Sequence, residues 1–384
     1  MGELNINGSI METPRMGLNH TERGYLRKGE GVLRSTIKQN IGIHEIVSDL
    51  KIDQNTRFDN NALNALINSI RGKSRRNIPT VIQFRINQKI ISQDALRFII
   101  NAQINANCSD IITIPDPTLR SFNQAWINYL EDAIRHVTDN FETRRYVNLM
   151  PVLSLNQGKG ILLQKVNWLL SRNIDAIGFR MTGSGRKYIN TLVEVINAQE
   201  NDIWIHLTDV KKSWFGISES HLDTLYGIDT IIKRKAYKYG AFFMARQQSS
   251  VASRGLMPTP VGVRIPSTQT QQPVIPPIIK NKNIFESSYL GFINPREIRS
   301  NFGINLICNC PACRNARNIN ELIRQLTASY GRGILEVHNS FNANREFVNI
   351  RNSIDNDEVQ IYFNQKRFIQ DNLNSIQERF PNMV

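Results

Sequence analysis

Three thiols and one imidazole are the first candidates for chemistry. The chain has four cysteines in 384 residues, and Cys308, Cys310 and Cys313 share one C-x-C-x-x-C run, "CNCPAC". A turn of that length folds three thiolates toward one point, and Asn309, Pro311 and Ala312 suit a tight turn. His338, in "LEVHNSF", would close the set from the start of a later helix, with a helical segment over Ile319–Tyr330 bringing it back. Zinc favours such a tetrahedral set. Four protein ligands leave no position for water, so the expected ion is structural. So few cysteines exclude a disulfide framework in a chain this long, and a reducing compartment, the cytoplasm, is expected.

Carboxylates form the second set. Asp116 follows "DIITIP", Asp209 ends "DIWIHLTD" together with His206, Asp49 ends "HEIVSD", and Asp229 stands in "IDTIIK". An aspartate at the carboxyl end of a strand lies where sites form in parallel α/β proteins. Of two carboxylates brought together, one can act as nucleophile while the other manages protons. Gln157, through its amide, and Gly178, through its backbone N–H, are further polar candidates. Plainer roles stand beside these: a cap at Asp116 for a segment beginning at Thr118, a core histidine at His206, a helix cap at Asp209.

These residues need a frame. Strands are expected over His44–Ile52, Thr80–Ile86, Asp110–Pro115, Tyr146–Leu153, Ala176–Met181, Asp202–Thr208 and Ile228–Ile232. Helices are expected over Ala95–Ala106, Phe122–Val137, Ile161–Ser171, Arg186–Ala198 and Ser218–Tyr226, from apolar spacing near 3.6 residues. Strand–helix units in series imply parallel strands covered by helices, and so many of them favour a TIM-type (β/α)8 barrel. The barrel is expected over 36–384, with a zinc subdomain inserted at about 300–340 before the final helices. Residues 1–35 show no clear period and read as a poorly defined segment. Residues 247–282, rich in Pro, Ser, Thr and Gln, read as an excursion. No run of about 18 apolar residues exists, so no membrane span is expected, and the polar opening stretch gives no sign of a secretory route.

The formal net charge is +14. Basic residues cluster at Arg71, Lys73, Arg75 and Arg76, at Lys211 and Lys212, and at Lys233, Arg234, Lys235 and Lys238, the last group interleaved with Tyr237 and Tyr239. Cations for phosphates beside rings for base stacking suit a nucleic-acid partner.

C-x-C-x-x-C followed by "VHNSFNANREF" resembles the zinc motif of the tRNA-guanine transglycosylase superfamily, in which a histidine–asparagine pair opens the final barrel helix. His338 and Asn339 match that pair. "ISQDALRFIINAQINANCSDIITIPD" resembles the family's helix and the strand ending in a base-reading aspartate. "IDAIGFRMTG" is similar to the strand whose glycine backbone meets the base. "GIDTIIKRKAYKYGAFF" resembles the stretch that begins with the nucleophilic aspartate. The resemblance covers roughly residues 40 to 355. It implies Asp229 as nucleophile at a nucleoside C1′ with a covalent aspartate–sugar intermediate, and Asp116 as base reader, accepting from a purine N1–H and exocyclic amine, with Gln157 and Gly178 as candidates for reading the same base. Where the family has Phe-Asp-Cys this chain has Ile228-Asp229-Thr230, and Lys233-Arg234-Lys235 replaces Pro-Thr-Arg. The Asp-Ser-Gly-Gly motif is absent. Asp49 in "EIVSDLK" is its nearest equivalent and the candidate acid/base, with Asp53 and Asp59 as competitors. Such a reduced, basic version looks like the branch that inserts 7-deazaguanine bases into DNA. Exchange on tRNA and a catalytically silent, zinc-containing nucleic-acid-binding subunit are the alternatives, and helper subunits or a homodimer are the expected protein partners. A flipped or single-stranded target nucleotide would be required.

Overall fold

The computed structural model describes residues 3–6, 9–13, 15–19, 44–50, 57–74, 79–86, 92–108, 111–117, 121–141, 148–172, 174, 176–181, 188–199, 203–210, 230–233, 284–287, 291–293, 310, 313, 321 and 331–366. A hairpin, β1 (Glu3–Ile6) with β2 (Ser9–Glu12), precedes the main sheet. The sheet holds β3 (Arg15–Asn19), β4 (His44–Leu50), β5 (Thr80–Ile86), β6 (Ile111–Pro115), β7 (Asn148–Ser154), β8 (Ala176–Arg180), β9 (Trp204–Val210) and β10 (Thr230–Lys233). Its strand order is β5-β4-β3-β10-β9-β8-β7-β6. Every pairing in that order is parallel.

Parallel neighbours need crossovers, and helices supply them. They are α1 (Asn60–Lys73), α2 (Gln93–Ala106), α3 (Gln124–Phe141), α4 (Lys159–Leu170) and α5 (Ile189–Asn197), each between successive strands from β4 to β9. Their starts follow from local chemistry. Asp59 caps α1 by accepting from Ala62 N at 2.8 Å, and Ser92 caps α2 by accepting from Ala95 N at 3.2 Å. Such caps satisfy amides that have no partner within the helix. Farther along the chain lie a second hairpin, β11 (Ile284–Glu286) with β12 (Gly291–Ile293), and the helices α6 (Gly331–Asp355) and α7 (Val359–Asn364).

Side-chain alternation sorts the strands into two faces. Ile112, Ile114, Ile177, Phe179, Ile205 and Leu207 join Trp126, Leu130, Leu162, Val166, Leu192 and Val193 in the core beneath the helices. The intervening positions Val81, Ile111, Met150, Val152, Ala176 and Trp204 form a separate buried cluster on the other face. A third cluster packs β4 and β5 against α1 and α2. β5 and β6, which end the strand order on either side, touch through Thr113, whose hydroxyl donates to Ile82 O. The Gln103 amide of α2 sits at this seam, donating to Thr113 O at 2.9 Å and accepting from Thr113 N at 3.0 Å.

The α/β class and the parallel strands agree with the sequence expectation, and boundaries move by a few residues. The opening segment differs: residues 3–19, read as without period, supply three strands, and β3 lies inside the main sheet between β4 and β10. β3 is held by register with β10 (Met16↔Ile231) and β4 (Leu18↔His44), both remote in sequence, so no local signal marks it. α1 was not anticipated either. Its apolar Leu66, Ile67 and Ile70 stand among asparagines of low helix propensity. The 247–282 excursion and the Ser218–Tyr226 helix lie outside the described residues, as does the Ile319–Tyr330 segment apart from Glu321. Among the described residues no helix is long and apolar enough to cross a membrane.

Candidate functional site

Among the described residues, two places bring functional side chains together: a thiol–imidazole cluster against α6, and the carboxyl ends of the sheet strands.

α6 carries His338 well inside the helix rather than at its start. Cys310 Sγ and Cys313 Sγ lie 3.4 and 3.1 Å from His338 Nδ1, and all three are buried. Their ligand atoms fall within 4.8 Å of one another, so Cys310, Cys313 and His338 can hold one metal ion. The histidine is prepared for this role. Its Nε2 lies 2.9 Å from Phe285 O, a group that only accepts, so Nε2 carries the proton and Nδ1 turns its lone pair to the sulfurs. Asn342 Nδ2, 3.3 Å from the same Nδ1, fits an acceptor nitrogen. Asn339 Oδ1 accepts from Phe285 N at 2.8 Å, so His338 and Asn339 together grip β11 by its backbone. Phe285, Ala343 and Phe347 continue the core beneath the helices, tying the metal cluster to the main sheet. Cys308 lies outside the described residues.

Asp116 stands just past the end of β6, as expected, but with the parity of Ile112 and Ile114, which face the helices. Its carboxylate is buried and ringed by donors. Oδ1 accepts from Trp126 Nε1 at 3.0 Å and Lys165 Nζ at 3.1 Å, and Oδ2 accepts from Ser154 N at 3.2 Å and Gln157 Nε2 at 2.6 Å. A carboxylate offers about four lone-pair positions. All four are engaged from within the chain, so the expected base-reading role is not prepared in this conformation. Lys165 is itself fully buried, 5.0 Å from the Trp126 ring centroid. Burial pulls its ammonium below the ordinary lysine range, and Asp116 opposes that pull. Tyr129, donating to Pro115 O at 2.9 Å, has its phenol pushed well above its ordinary value, first by burial and then by the charge of Asp116.

Asp209, next to last in β9, meets a different set. Arg85 at the end of β5 donates to Oδ1, and Arg180 at the end of β8 donates through Nε to Oδ2 at 2.8 Å. One layer deeper, Thr208 Oγ1 donates to Gln83 Oε1 at 3.0 Å. By alternation Asp209 belongs with Ile205 and Leu207 on the helix face. Its φ of 61° breaks the alternation and turns the carboxylate to the other face, where Arg85 and Arg180 lie.

The remaining predicted positions divide. Gln157 does reach Asp116, and its Oε1, on a side chain nine-tenths buried, has no hydrogen-bond partner among the described residues. Gly178 lies mid-strand, in register with Val152 on one side and His206 on the other, so its peptide groups belong to the ladder and are not offered to a ligand. A Cβ there would meet Val152 Cγ2 at 2.9 Å, which explains the glycine. His206 is fully buried, its ring 5.9 Å from that of Trp204, and takes the core role. Asp49 is the register partner of Arg85, and Lys233 ends β10 in register with Val210. Asp59 is the α1 cap. Asp53, Asp229, Arg234, Lys235 and Lys238 lie outside the described residues. Arg71, from the first basic cluster, caps α2 by donating to Ala106 O at 3.2 Å and Asn105 O at 2.5 Å.

Sequence reasoning missed Lys165, Arg85 and Arg180. For Lys165 a signal existed: it shares the buried α4 stripe with Leu162, Val166 and Leu169. For the arginines the signal was a cation ending an apolar strand. No protein-family model matches the chain, and no curated protein matches it.

Proposed function

We propose that this chain is a base-exchanging transglycosylase that replaces a guanine in nucleic acid, with DNA the favoured substrate, by a 7-deazaguanine base. The observation that carries the reading is the metal cluster. The resembled motif requires Cys310 and Cys313 to meet a histidine far along the chain, and that histidine is His338. Zinc is the proposed ion. About 2.3 Å to sulfur and 2.0 Å to nitrogen in a tetrahedron separates those donors by about 3.5 Å, near the 3.4 and 3.1 Å found. Cys308 is the proposed fourth ligand. Bound zinc would fix the cysteine turn against α6.

A closed (β/α)8 barrel is part of the proposal. In a flat sheet of this order β5 and β9 would stand about 19 Å apart, and β5 and β6 about 34 Å. Gln83 and Thr208 instead bond across the first pair at 3.0 Å, and Thr113 and Ile82 across the second. Closure would gather the carboxyl ends of the strands at one mouth, where parallel barrels hold their sites.

In the proposed reaction Asp229 attacks C1′ and the bond to guanine breaks, Asp49 giving the departing base its proton; the incoming base then attacks C1′, breaks the carbon–oxygen bond formed, and returns a proton to Asp49. The Lys233–Lys238 run holds flanking phosphates. Incubating the full chain with duplex DNA, or with tRNA, and a labelled 7-deazaguanine should give incorporation and a protein–polynucleotide band on denaturing gels. Asp229→Asn should abolish both. The filled acceptor sites of Asp116 favour one rival, a silent subunit that binds nucleic acid without exchange. Binding with neither adduct nor incorporation on either substrate would establish that rival.

A further inference from the structure

Arg180 stands at a boundary between buried and wet chemistry. Its position on β8 follows Ala176 and Gly178, on the face turned away from the helices. Its partner Asp209 reaches that face only because its backbone adopts φ 61°. A non-glycine residue there is strained, and such strain persists where surrounding contacts impose it. Here two arginines from different strands impose it. The carboxylate is 1% exposed and Arg85 11%, whereas Arg180 is 30% exposed. Tying Nε of a planar guanidinium to Asp209 fixes the direction of its terminal nitrogens. One strand away β10 ends at Lys233, in register with Val210.

We infer that Arg180 contacts a phosphate of the nucleic-acid substrate and that Asp209 is its positioning residue. This rests on the nucleic-acid reading above and extends it to residues outside the lysine-rich run. A phosphodiester suits the site because its two free oxygens match the fork of a guanidinium.

The test uses the full chain and a fluorescein-labelled single-stranded DNA, with affinity read by anisotropy across a salt series. Arg180→Gln should bind about tenfold more weakly, with the slope of log affinity against log salt smaller by about one. Arg180→Lys keeps the charge and loses the fork, so the slope should hold while affinity falls several-fold. It also carries the test if the glutamine variant does not fold by circular dichroism. Asp209→Asn separates positioning from charge. Removing a negative charge near the strand should tighten binding if Asp209 acts by charge alone, and weaken it if Asp209 aims Arg180. Unchanged affinity and slope in both Arg180 variants, or tighter binding in Asp209→Asn, would overturn the inference while leaving nucleic-acid binding intact. Absence of any salt-sensitive binding by the wild-type chain, to this DNA or to tRNA, would overturn the nucleic-acid reading itself.

Discussion

Asp116 and Asp209 look alike in the sequence and differ in the fold. Each closes an apolar strand, and each carboxylate is 1% exposed. Asp116 follows the pleat of β6 outward to the helix layer, where Lys165 and Trp126 close over it without backbone strain. Asp209 departs from the pleat of β9 and turns back among strand-end arginines, one of which reaches water. One backbone dihedral thus separates a latch from a rim group. On the face away from the helices the strand-end carboxylate meets an arginine that reaches water.

The largest expected break in this contrast is Lys165→Ala. It leaves a buried carboxylate without its cation and should cost about 3–5 kcal/mol, read as a lower urea midpoint or failure to fold. Asp209→Asn should cost less, about 1–3 kcal/mol, since asparagine tolerates the left-handed backbone and one arginine is partly hydrated. Equal losses at the two sites would erase the distinction. Gly178→Ala tests the packing beneath the rim. The added methyl must displace Val152, at about 1–3 kcal/mol, and pairing it with Val152→Ala should restore much of the loss. The smallest effect concerns pH. Tyr129 ionises in the folded chain only well above the 10.0 at which it would when unfolded, so its contribution is present below pH 10 and lost as pH rises beyond it. The Tyr129→Phe chain should show a shallower fall in urea midpoint above pH 10 than the wild type.

Much of the sheet was legible because runs such as Ile111–Pro115 and Trp204–Val210 are β-branched or aromatic and bounded by polar breaks. β3 was not. "RMGLN" is short and contains a glycine, and its partners β4 and β10 come from far along the chain. The extent of α6 was hidden for another reason. Its buried side includes Asn339, Asn342, Asn344 and Glu346, so an apolar stripe does not mark it. Those polar groups find partners only in the fold, as Glu346 does in Lys366 at 2.8 Å and Tyr362. Cys310, Cys313 and His338 were readable from type and spacing alone, since ligand chemistry needs no knowledge of the sheet. Which way Asp116 and Asp209 turn was not, because one backbone dihedral decides it.

The seam between β5 and β6 has its own consequence. Elsewhere in the sheet an amide is protected by a neighbouring strand, and exposing it means parting a ladder. At Thr113 the partner is the end of a glutamine side chain, Gln103, which a rotamer change can withdraw. Amide exchange at Thr113 therefore reports a local opening with a threshold set by α2 rather than by the sheet. Gln103 is the fastening expected to set how often the β5/β6 seam opens.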